Sequence, residues 1–195
     1  MKMQEIEIEF KNLLTKAEYE KLFVAFPFPR EAVRQTNYYF ETKDFALKQQ
    51  GAALRIREKE GKFRFTLKEP YGDGLLETHD LLSAEEAELI LSGRISFKEH
   101  TGARLERLGI EPEQLQIFGP LITERREQEA QGVLLVLDRS LYNSHEDLEF
   151  ELEAPDYQTG LSVFNKILET HQISRKATPN KIERFFATLG TDGRA

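Results

Sequence analysis

The sequence of 195 residues contains no cysteine, no long apolar run and no net positive charge. Without cysteine there can be no disulfide, no thiolate metal site and no cysteine nucleophile, which fits a reducing cytosol. The longest purely apolar runs, residues 22–26 and 133–137, are far shorter than the roughly 20 residues that a membrane-spanning helix needs. The net charge of −7 argues against non-specific binding of duplex DNA, which needs a positive surface. We therefore expect a cytoplasmic protein with no duplex nucleic acid and no membrane as partner.

The composition is that of a folded protein, and its charges are sorted by segment. Hydrophobic residues make up 39% of the chain, including 14 Phe and 6 Tyr, which is enough for a sizeable core. We expect a single domain over residues 1–190 and a frayed tail over 191–195. Residues 43–68 contain eight basic against three acidic side chains, whereas residues 146–156 contain six acids and no base. An ordinary solvated surface mixes its signs.

Strict alternation of charged and apolar residues predicts strands at both ends of the chain and in the middle. In the segment 5–11, carboxylates and Lys11 fall on one face and apolar residues on the other. The segments 52–59 and 63–68 place Arg and Lys on one face and are joined by a Glu60-Gly61 turn. Residues 147–153 alternate like the N-terminus. Further strands are predicted at 37–42, 75–82, 121–128 and 133–142.

Helices are predicted from capping signals and apolar stripes at helical spacing. Thr15 with Glu18 and Ser83 with Glu86 form capping-box patterns. A stretch over 102–108 ends at Gly109, and a helix over 159–171 follows the last strand. The final helix is predicted to have Thr178 as its N-cap, Pro179 at its first position and Gly190 as its C-cap. The pattern predicts one α+β domain with an antiparallel sheet or barrel.

The sorted charges suggest what such a sheet is for. Any one charged strand is usually a half-buried strand with a solvated face. A solvated face does not readily explain two acidic and two basic strands together, because like charges along a strand face repel. A closed barrel with charged faces inward would need a ligand that compensates both signs. A polyphosphate bound with Mg²⁺ or Mn²⁺ would do so, because Arg and Lys bind phosphate oxygens and carboxylates bind the metal.

The sequence resembles the CYTH superfamily, the triphosphate tunnel metalloenzymes. Glu7-x-Glu9-x-Lys11 resembles the family's N-terminal ExExK signature, and six further pieces follow in the family's order. These pieces are YFET at 39–42, LRIR at 54–57, TLK at 66–68, TER at 123–125, LVLD at 135–138 and ExE at 149–151. The resemblance covers about residues 4–190. It is greatest to the small stand-alone Bacillus-type CYTH-domain proteins that carry a provisional adenylate cyclase label.

The resemblance implies an eight-stranded antiparallel β-barrel, the triphosphate tunnel, with helices packed outside. It implies a small triphosphate-containing substrate and Mg²⁺ or Mn²⁺ as cofactor. Carried over by position, the catalytic and metal-binding residues would be Glu7, Glu9, Glu149 and Glu151, with Asp138 as a further metal acid. The substrate-binding residues would be Lys11, Arg55, Arg57, Lys68 and Arg125, and Arg64 either joins them or lies at the tunnel mouth.

Several neighbouring positions leave alternatives open. Glu5 and Glu153 share the faces of the metal acids, and of Arg125 and Arg126 only one can point inward from a regular strand. Glu77 is interpreted as an exposed strand acid. The last helix is interpreted as having a solvated face, although Lys176, Lys181 or Arg184 could reach phosphate. The four His residues share no metal-ligand spacing and are interpreted as ordinary.

Three functions remain at this stage. The first is a metal-dependent triphosphatase, most readily of inorganic tripolyphosphate, because the chain shows no added base-recognition domain. The second is a class IV-type adenylate cyclase that converts ATP to cyclic AMP and pyrophosphate. The third is a non-catalytic module that binds polyphosphate or a nucleotide, and a homodimer is left open in each case.

Overall fold

The fold is described from a computed structural model, in which residues 3–189 are described. Eight antiparallel strands form a closed barrel in the order β1-β5-β4-β3-β2-β6-β7-β8, which confirms the predicted fold class. The strands are β1 (Gln4–Leu14), β2 (Val33–Thr42), β3 (Ala53–Lys59), β4 (Lys62–Tyr71), β5 (Gly74–Leu82), β6 (Leu115–Ala130), β7 (Val133–Tyr142) and β8 (His145–Ala154). The helices are α1 (Lys16–Ala25), α2 (Ala46–Gln49), α3 (Ala84–Leu91), α4 (Glu99–Arg107), α5 (Tyr157–Thr170) and α6 (Lys181–Thr188). None of these helices is long and apolar enough to cross a membrane.

The chain divides into two compact units, each with its own core. Of the described residues, the first unit contains 3–7 and 35–120, and the second contains 8–34 and 121–189. In the first unit, α3 and α4 pack against β4 and β5, whose apolar faces carry the fully buried Phe65 and Leu67. In the second unit, α1 and α5 pack against β8, where Phe150 stacks on Phe164. The prediction of one domain over residues 1–190 stays a prediction.

Close packing in the second unit depends on a glycine in α5. A Cβ at Gly160 would lie 2.3 Å from a ring carbon of Phe10 and 2.7 Å from the Cβ of Ala154. Only a residue without a side chain lets the helix approach the sheet so closely. Phe10 is buried beneath the helix and Ala154 is half-buried, while the charged residues of the same strands lie on the opposite face.

Two helices of the first unit have N-terminal amides that donate to strand carboxylates, and the sequence prediction missed one helix and misplaced the start of the other. The short helix α2 was not predicted, and its Leu47 and Lys48 amides donate to the buried carboxylate of Glu41 at 3.0 and 2.9 Å. The helix α4 begins at Glu99 rather than at residue 102. The carboxylate of Asp80 on β5 accepts hydrogen bonds at its N-terminus, including one of 2.7 Å from the Thr101 amide. Because Asp80 lies 21 residues before Thr101, no local pattern predicts this cap.

The predicted start of the last helix is wrong by two residues. Asn180 is the N-cap of α6, and its amide donates to Glu183 at 2.8 Å. Thr178 instead accepts a hydrogen bond of 3.0 Å from the Leu13 amide and donates to the Lys176 carbonyl at 3.1 Å. The predicted C-cap Gly190 and the tail at 191–195 lie outside the described residues. The capping boxes at Thr15 and Ser83 are confirmed.

Candidate functional site

The first unit presents a basic face on β3 and β4. The register pairs Arg55 with Thr66 and Arg57 with Arg64, so these side chains share one face of the hairpin. The alternate residues of β3, Leu54 and Ile56, are fully buried in the core on the other face. The alternation in the sequence therefore predicted correctly which side chains share the charged face.

Lys68 lies in an ion-pair network at one end of this face. Its ammonium contacts the carboxylates of Glu7 and Glu77, and an Arg55 guanidinium nitrogen lies 3.9 Å from Glu77. The interpretation of Glu77 as an exposed acid is wrong, because the residue is only 7% exposed. Burial acts to raise the pKa of Glu77, but the cations Lys68 and Arg55 outweigh it and lower the pKa to about 2.

His79 belongs to the same network, contrary to its interpretation as an ordinary histidine. The residue is 3% exposed, and its Nδ1 lies 3.0 Å from the hydroxyl of Thr66. Its Nε2 lies 3.1 Å from a Glu5 oxygen and 3.2 Å from a Glu77 oxygen. One ligand atom each of Glu5, Glu77 and His79 lies within 4.8 Å of the others, so the set could hold a metal ion. The sequence signal was the shared strand face of Glu77 and His79, two residues apart.

The arginines of this face retain hydrogen-bonding capacity. The Nε of Arg55 is buried and has no hydrogen-bond acceptor among residues 3–189. The Nε of Arg57 donates to the buried Asn37 at 3.1 Å. A buried donor without an acceptor is costly in water-free surroundings, and an anion would supply the acceptor. The face is therefore suited chemically to phosphate oxygens.

In the second unit, Arg125 makes a bidentate ion pair with a fully buried acid. Its Nε and Nη2 donate to the two oxygens of Asp138 at 2.9 and 2.7 Å, and Nη2 also donates to Glu151 at 2.6 Å. Arg126 leaves the strand on the other side, where it donates to the hydroxyl of Tyr19 at 2.9 Å and lies over the ring of Phe23. Arg125 is thus the member of the pair that joins the acids.

Lys181 on α6 lies among three carboxylates, so the interpretation of this helix face as solvated is wrong. Its Nζ lies 2.9 Å from Asp138 and 3.1 Å from Glu149, and it also contacts Glu151. The Lys181 side chain is only 13% exposed. Burial acts to lower the pKa of Lys181, but the three acids outweigh it and raise the pKa. The apolar stripe of α6 placed Ile182 and Phe185 in the core, and that stripe was the available signal for the helix's docking.

Arg184, three residues further along α6, is also drawn into the acids. Its guanidinium contacts Glu149 and lies 2.7 Å from Asp147. The hydroxyl of Tyr142 donates to Asp147 as well. Burial, and after it the bond with Asp147, raise the pKa of Tyr142 to about 12. Neither Tyr142 nor Asp147 lies in a recognised motif, so no sequence pattern selected them.

The two central acids of β8 differ electrostatically although they lie on one strand face. Burial raises the pKa of Glu149, while Lys181 and Arg125 overcome the effect of burial at Glu151 and lower its pKa. The Oε1 of Glu149 is buried without a hydrogen-bond partner among residues 3–189. An oxygen in this state is available to a further cation.

The ExExK segment is divided between the two units. Glu7 pairs with Lys68 in the first unit. In the second unit, Lys11 donates to Glu9 at 2.9 Å and to the side chain of Asn180. Each acid that the sequence predicted as a metal ligand therefore contacts a basic side chain of its own unit. These acids are Glu7, Glu9, Asp138, Glu149 and Glu151.

Comparison with known proteins assigns the chain that carries these charged faces to a family. The CYTH domain model matches residues 5–186. This chain is a member of the CYTH family. A Bacillus subtilis relative, named "Putative triphosphatase YjbK", is 45% identical over 187 residues, which cover 94% of this chain and 95% of the relative.

Solved structures share the fold of this chain. A crystal structure of a Bacillus halodurans protein named as a "putative adenylate cyclase" is 42% identical, with a TM-score of 0.91 and coverage of 95% of this chain and 100% of that one. A Hippeastrum protein, described as a "putative adenylyl cyclase" with a dominant triphosphatase activity, has a TM-score of 0.76 and covers 94% of this chain and 95% of its own. At 19% identity it shows only that the fold is shared.

Proposed function

We propose that this protein hydrolyses a triphosphate, most readily inorganic tripolyphosphate. The observation that carries the proposal is the buried Nε of Arg55, a donor without an acceptor on a face that also carries Arg57, Arg64 and Lys68. The 45% identity to a relative named as a triphosphatase supports the choice of reaction. The chain's own residues would bind and orient the phosphates through Lys11, Arg55, Arg57, Arg64, Lys68 and Arg125.

The acids of the second unit fit a hard divalent cation such as Mg²⁺ or Mn²⁺. Asp138, Glu149 and Glu151 all direct oxygens to one ammonium, that of Lys181, and one Glu149 oxygen has no partner among the described residues. Carboxylate oxygens are the ligands that these metals prefer. We propose Glu7, Glu9, Asp138, Glu149 and Glu151 as the metal-binding acids. A metal held there would neutralise phosphate charge and lower the pKa of a bound water.

The basic residues would act by binding and by stabilising charge. Arg forks and Lys ammoniums that are already fixed by ion pairs need little reorganisation when charge develops on phosphoryl oxygens. Lys68 is fixed by Glu7 and Glu77, and Arg125 by Asp138. The strand scaffold holds these side chains more rigidly than a loop would.

A product assay tests this function against the cyclase alternative that the name of the Bacillus halodurans structure raises. The protein is incubated with tripolyphosphate, ATP or thiamine triphosphate, each with Mg²⁺ or Mn²⁺, and phosphate, pyrophosphate and cyclic AMP are measured. We expect phosphate from tripolyphosphate. Cyclic AMP with pyrophosphate from ATP would favour the cyclase, and tight binding without turnover would contradict both enzymatic functions.

A further inference from the structure

The β3–β4 hairpin carries more positive charge than its proposed triphosphate site uses. Beyond the pair of Arg57 and Arg64, the register places Lys59 directly opposite Lys62. Like charges at directly opposite positions destabilise a pair of strands. Two successive pairs of this kind therefore weaken the hairpin unless an anion lies against them.

No acidic side chain compensates the outer part of this ladder. Among residues 3–189, Lys59, Lys62 and Arg64 have no carboxylate within ion-pair distance. Glu58 alternates to the other face, and its carboxylate accepts a hydrogen bond of 2.8 Å from the Gly61 amide in the turn. By contrast, Arg139 on the exposed part of β7 lies 3.1 Å from Glu124 and 2.6 Å from Glu146. Arg139 is therefore compensated by acids on both sides, whereas Arg64 and the two lysines are not.

The ladder is also long. Six residues separate Ala53, which lies opposite Lys68, from Lys59, which lies opposite Lys62. At about 3.3 Å per strand residue, the basic face extends about 20 Å along the hairpin. Three phosphoryl groups joined through shared oxygens are much shorter than this face. A triphosphate bound among Lys68, Arg55, Arg57 and Arg64 would leave Lys59 and Lys62 without phosphate.

A repeating anion matches a repeating row of cations. The side chains that flank the ladder on β2 are Asn37, opposite Arg57, and Gln35, opposite Lys59, both buried amides. This flank offers hydrogen bonds beside the outer cations, and its aromatic residue, Tyr39, lies opposite Arg55 nearer the inner end of the ladder. Each further phosphoryl group adds charge that a Lys or Arg can neutralise.

We propose that Lys59 and Lys62 extend the phosphate-binding face beyond Arg64 as an outer anion subsite, which raises the affinity for linear inorganic polyphosphates of four or more phosphoryl groups above that for tripolyphosphate. This subsite rests on the proposed function for its role in catalysis, although binding to it does not require turnover. Arg64 joins the subsite to Arg57 across the hairpin. The two lysines are the chain-length determinants.

Equilibrium binding tests the subsite without reference to catalysis. Tripolyphosphate, tetraphosphate and a polyphosphate of about ten phosphoryl groups are titrated calorimetrically, in EDTA, into the wild-type protein and into the double variant Lys59→Ala/Lys62→Ala. We expect wild-type affinity to rise with chain length. The variant should lose about tenfold in affinity for the longest chain and clearly less for tripolyphosphate.

A matched control separates a built subsite from bulk charge. Lys16→Ala/Lys166→Ala removes two exposed lysines from helices of the second unit. We expect this control to change each affinity less than twofold, and an equal loss in both double variants would overturn the proposal. The proposal would also fall if ATP lost as much affinity as the longest chain in Lys59→Ala/Lys62→Ala, since the subsite would then serve a nucleoside.

Kinetics distinguish failure of this inference from failure of the proposed function. If long chains bind as expected but no tested substrate is hydrolysed, the triphosphatase function falls and the subsite stands. The opposite outcome is that tripolyphosphate is hydrolysed, but Lys59→Ala/Lys62→Ala weakens the binding of tripolyphosphate and of longer chains equally. In that case the subsite falls and the function stands. Arg64→Ala, tested in the same titrations, should reduce the affinity for tripolyphosphate and for longer chains alike, because Arg64 contacts phosphate in both cases.

Discussion

The charged faces of the two units differ in how completely their charges are paired internally. In the second unit, the buried acids Asp138, Glu149 and Glu151 are met by Arg125, Lys181 and Arg184. In the first unit, Glu77 and Glu7 neutralise Lys68, while Arg64, Lys59 and Lys62 have no acidic partner among the described residues. The second unit thus carries its own counter-cations, and the first retains cations for a ligand.

This difference indicates how each face would respond to a ligand. An anion added to the first unit would relieve repulsion between like charges, which favours binding. A metal added to the second unit would compete with Lys181 for the same carboxylate oxygens. Removing a buried charge from such a cluster is costly, because its partners are left buried and unpaired.

The largest effect is expected from removing the internal cation of the second unit. Lys181→Met should lower the free energy of unfolding by about 3–5 kcal/mol, because three carboxylates lose a buried partner. Mn²⁺ should then stabilise the variant more than the wild type, since a ligand that binds only the folded state raises its stability. Urea unfolding with and without Mn²⁺ measures both effects. An unchanged unfolding free energy in Lys181→Met would contradict the account. The control is Lys166→Met, which replaces an exposed lysine of α5.

The next effect concerns turnover. Glu9→Gln should lower the rate of tripolyphosphate hydrolysis by about 100- to 1,000-fold, the range seen when one electrostatic group of a preorganised site is removed. The shape of the side chain is kept, so folding should be retained. Initial rates at saturating substrate measure the effect, with the exposed Glu20→Gln on α1 as the matched control. Full activity in Glu9→Gln would remove Glu9 from the site.

The pKa of Glu77 predicts a pH dependence that is specific to the first unit. Its folded-state pKa, about 2, is lowered from an ordinary 4.5, so ionised Glu77 stabilises the fold above pH 4.5. This contribution, at most about 3 kcal/mol, is lost as the pH falls from 4.5 towards 2. The difference in unfolding free energy between wild type and Glu77→Gln should therefore shrink over that interval. A constant difference from pH 7 to pH 3 would show that the Lys68 and Arg55 pairs do not act as described.

The smallest effect is expected from a single phosphate-binding residue. Arg57→Ala should chiefly weaken substrate binding and raise KM by about 10- to 100-fold, since a hydrogen bond to a charged group contributes about 1.5–3 kcal/mol. The exposed Arg94→Ala removes the same charge from the same unit and should leave KM within twofold. Were both Arg57→Ala and Glu9→Gln to retain full activity, the assignment of the site would be wrong.

The sequence predicted the strands and their faces well because a strand with one charged and one buried face must alternate. The faces of Arg55, Arg57 and Lys68, and of Glu149 and Glu151, follow from that period alone. It could not place Lys181 and Arg184, because their burial depends on where α6 docks. The burial of Glu77 and His79 was not predicted for a related reason. Their partners Lys68 and Glu5 lie on neighbouring strands, and the sequence alone does not specify the register between strands. The cap supplied by Asp80 was missed because the residue lies 21 positions before Thr101, beyond the reach of a local pattern.

The most direct test of the central claim is a ³¹P NMR time course of tripolyphosphate with the wild-type protein and Mn²⁺, beside the same mixture with EDTA in excess. The account predicts that the tripolyphosphate signals are replaced by equal amounts of orthophosphate and pyrophosphate, and that EDTA prevents the change. A spectrum that stays unchanged with Mn²⁺ would contradict the proposed triphosphatase activity, and equal rates with and without EDTA would contradict the role of the carboxylates in binding a metal.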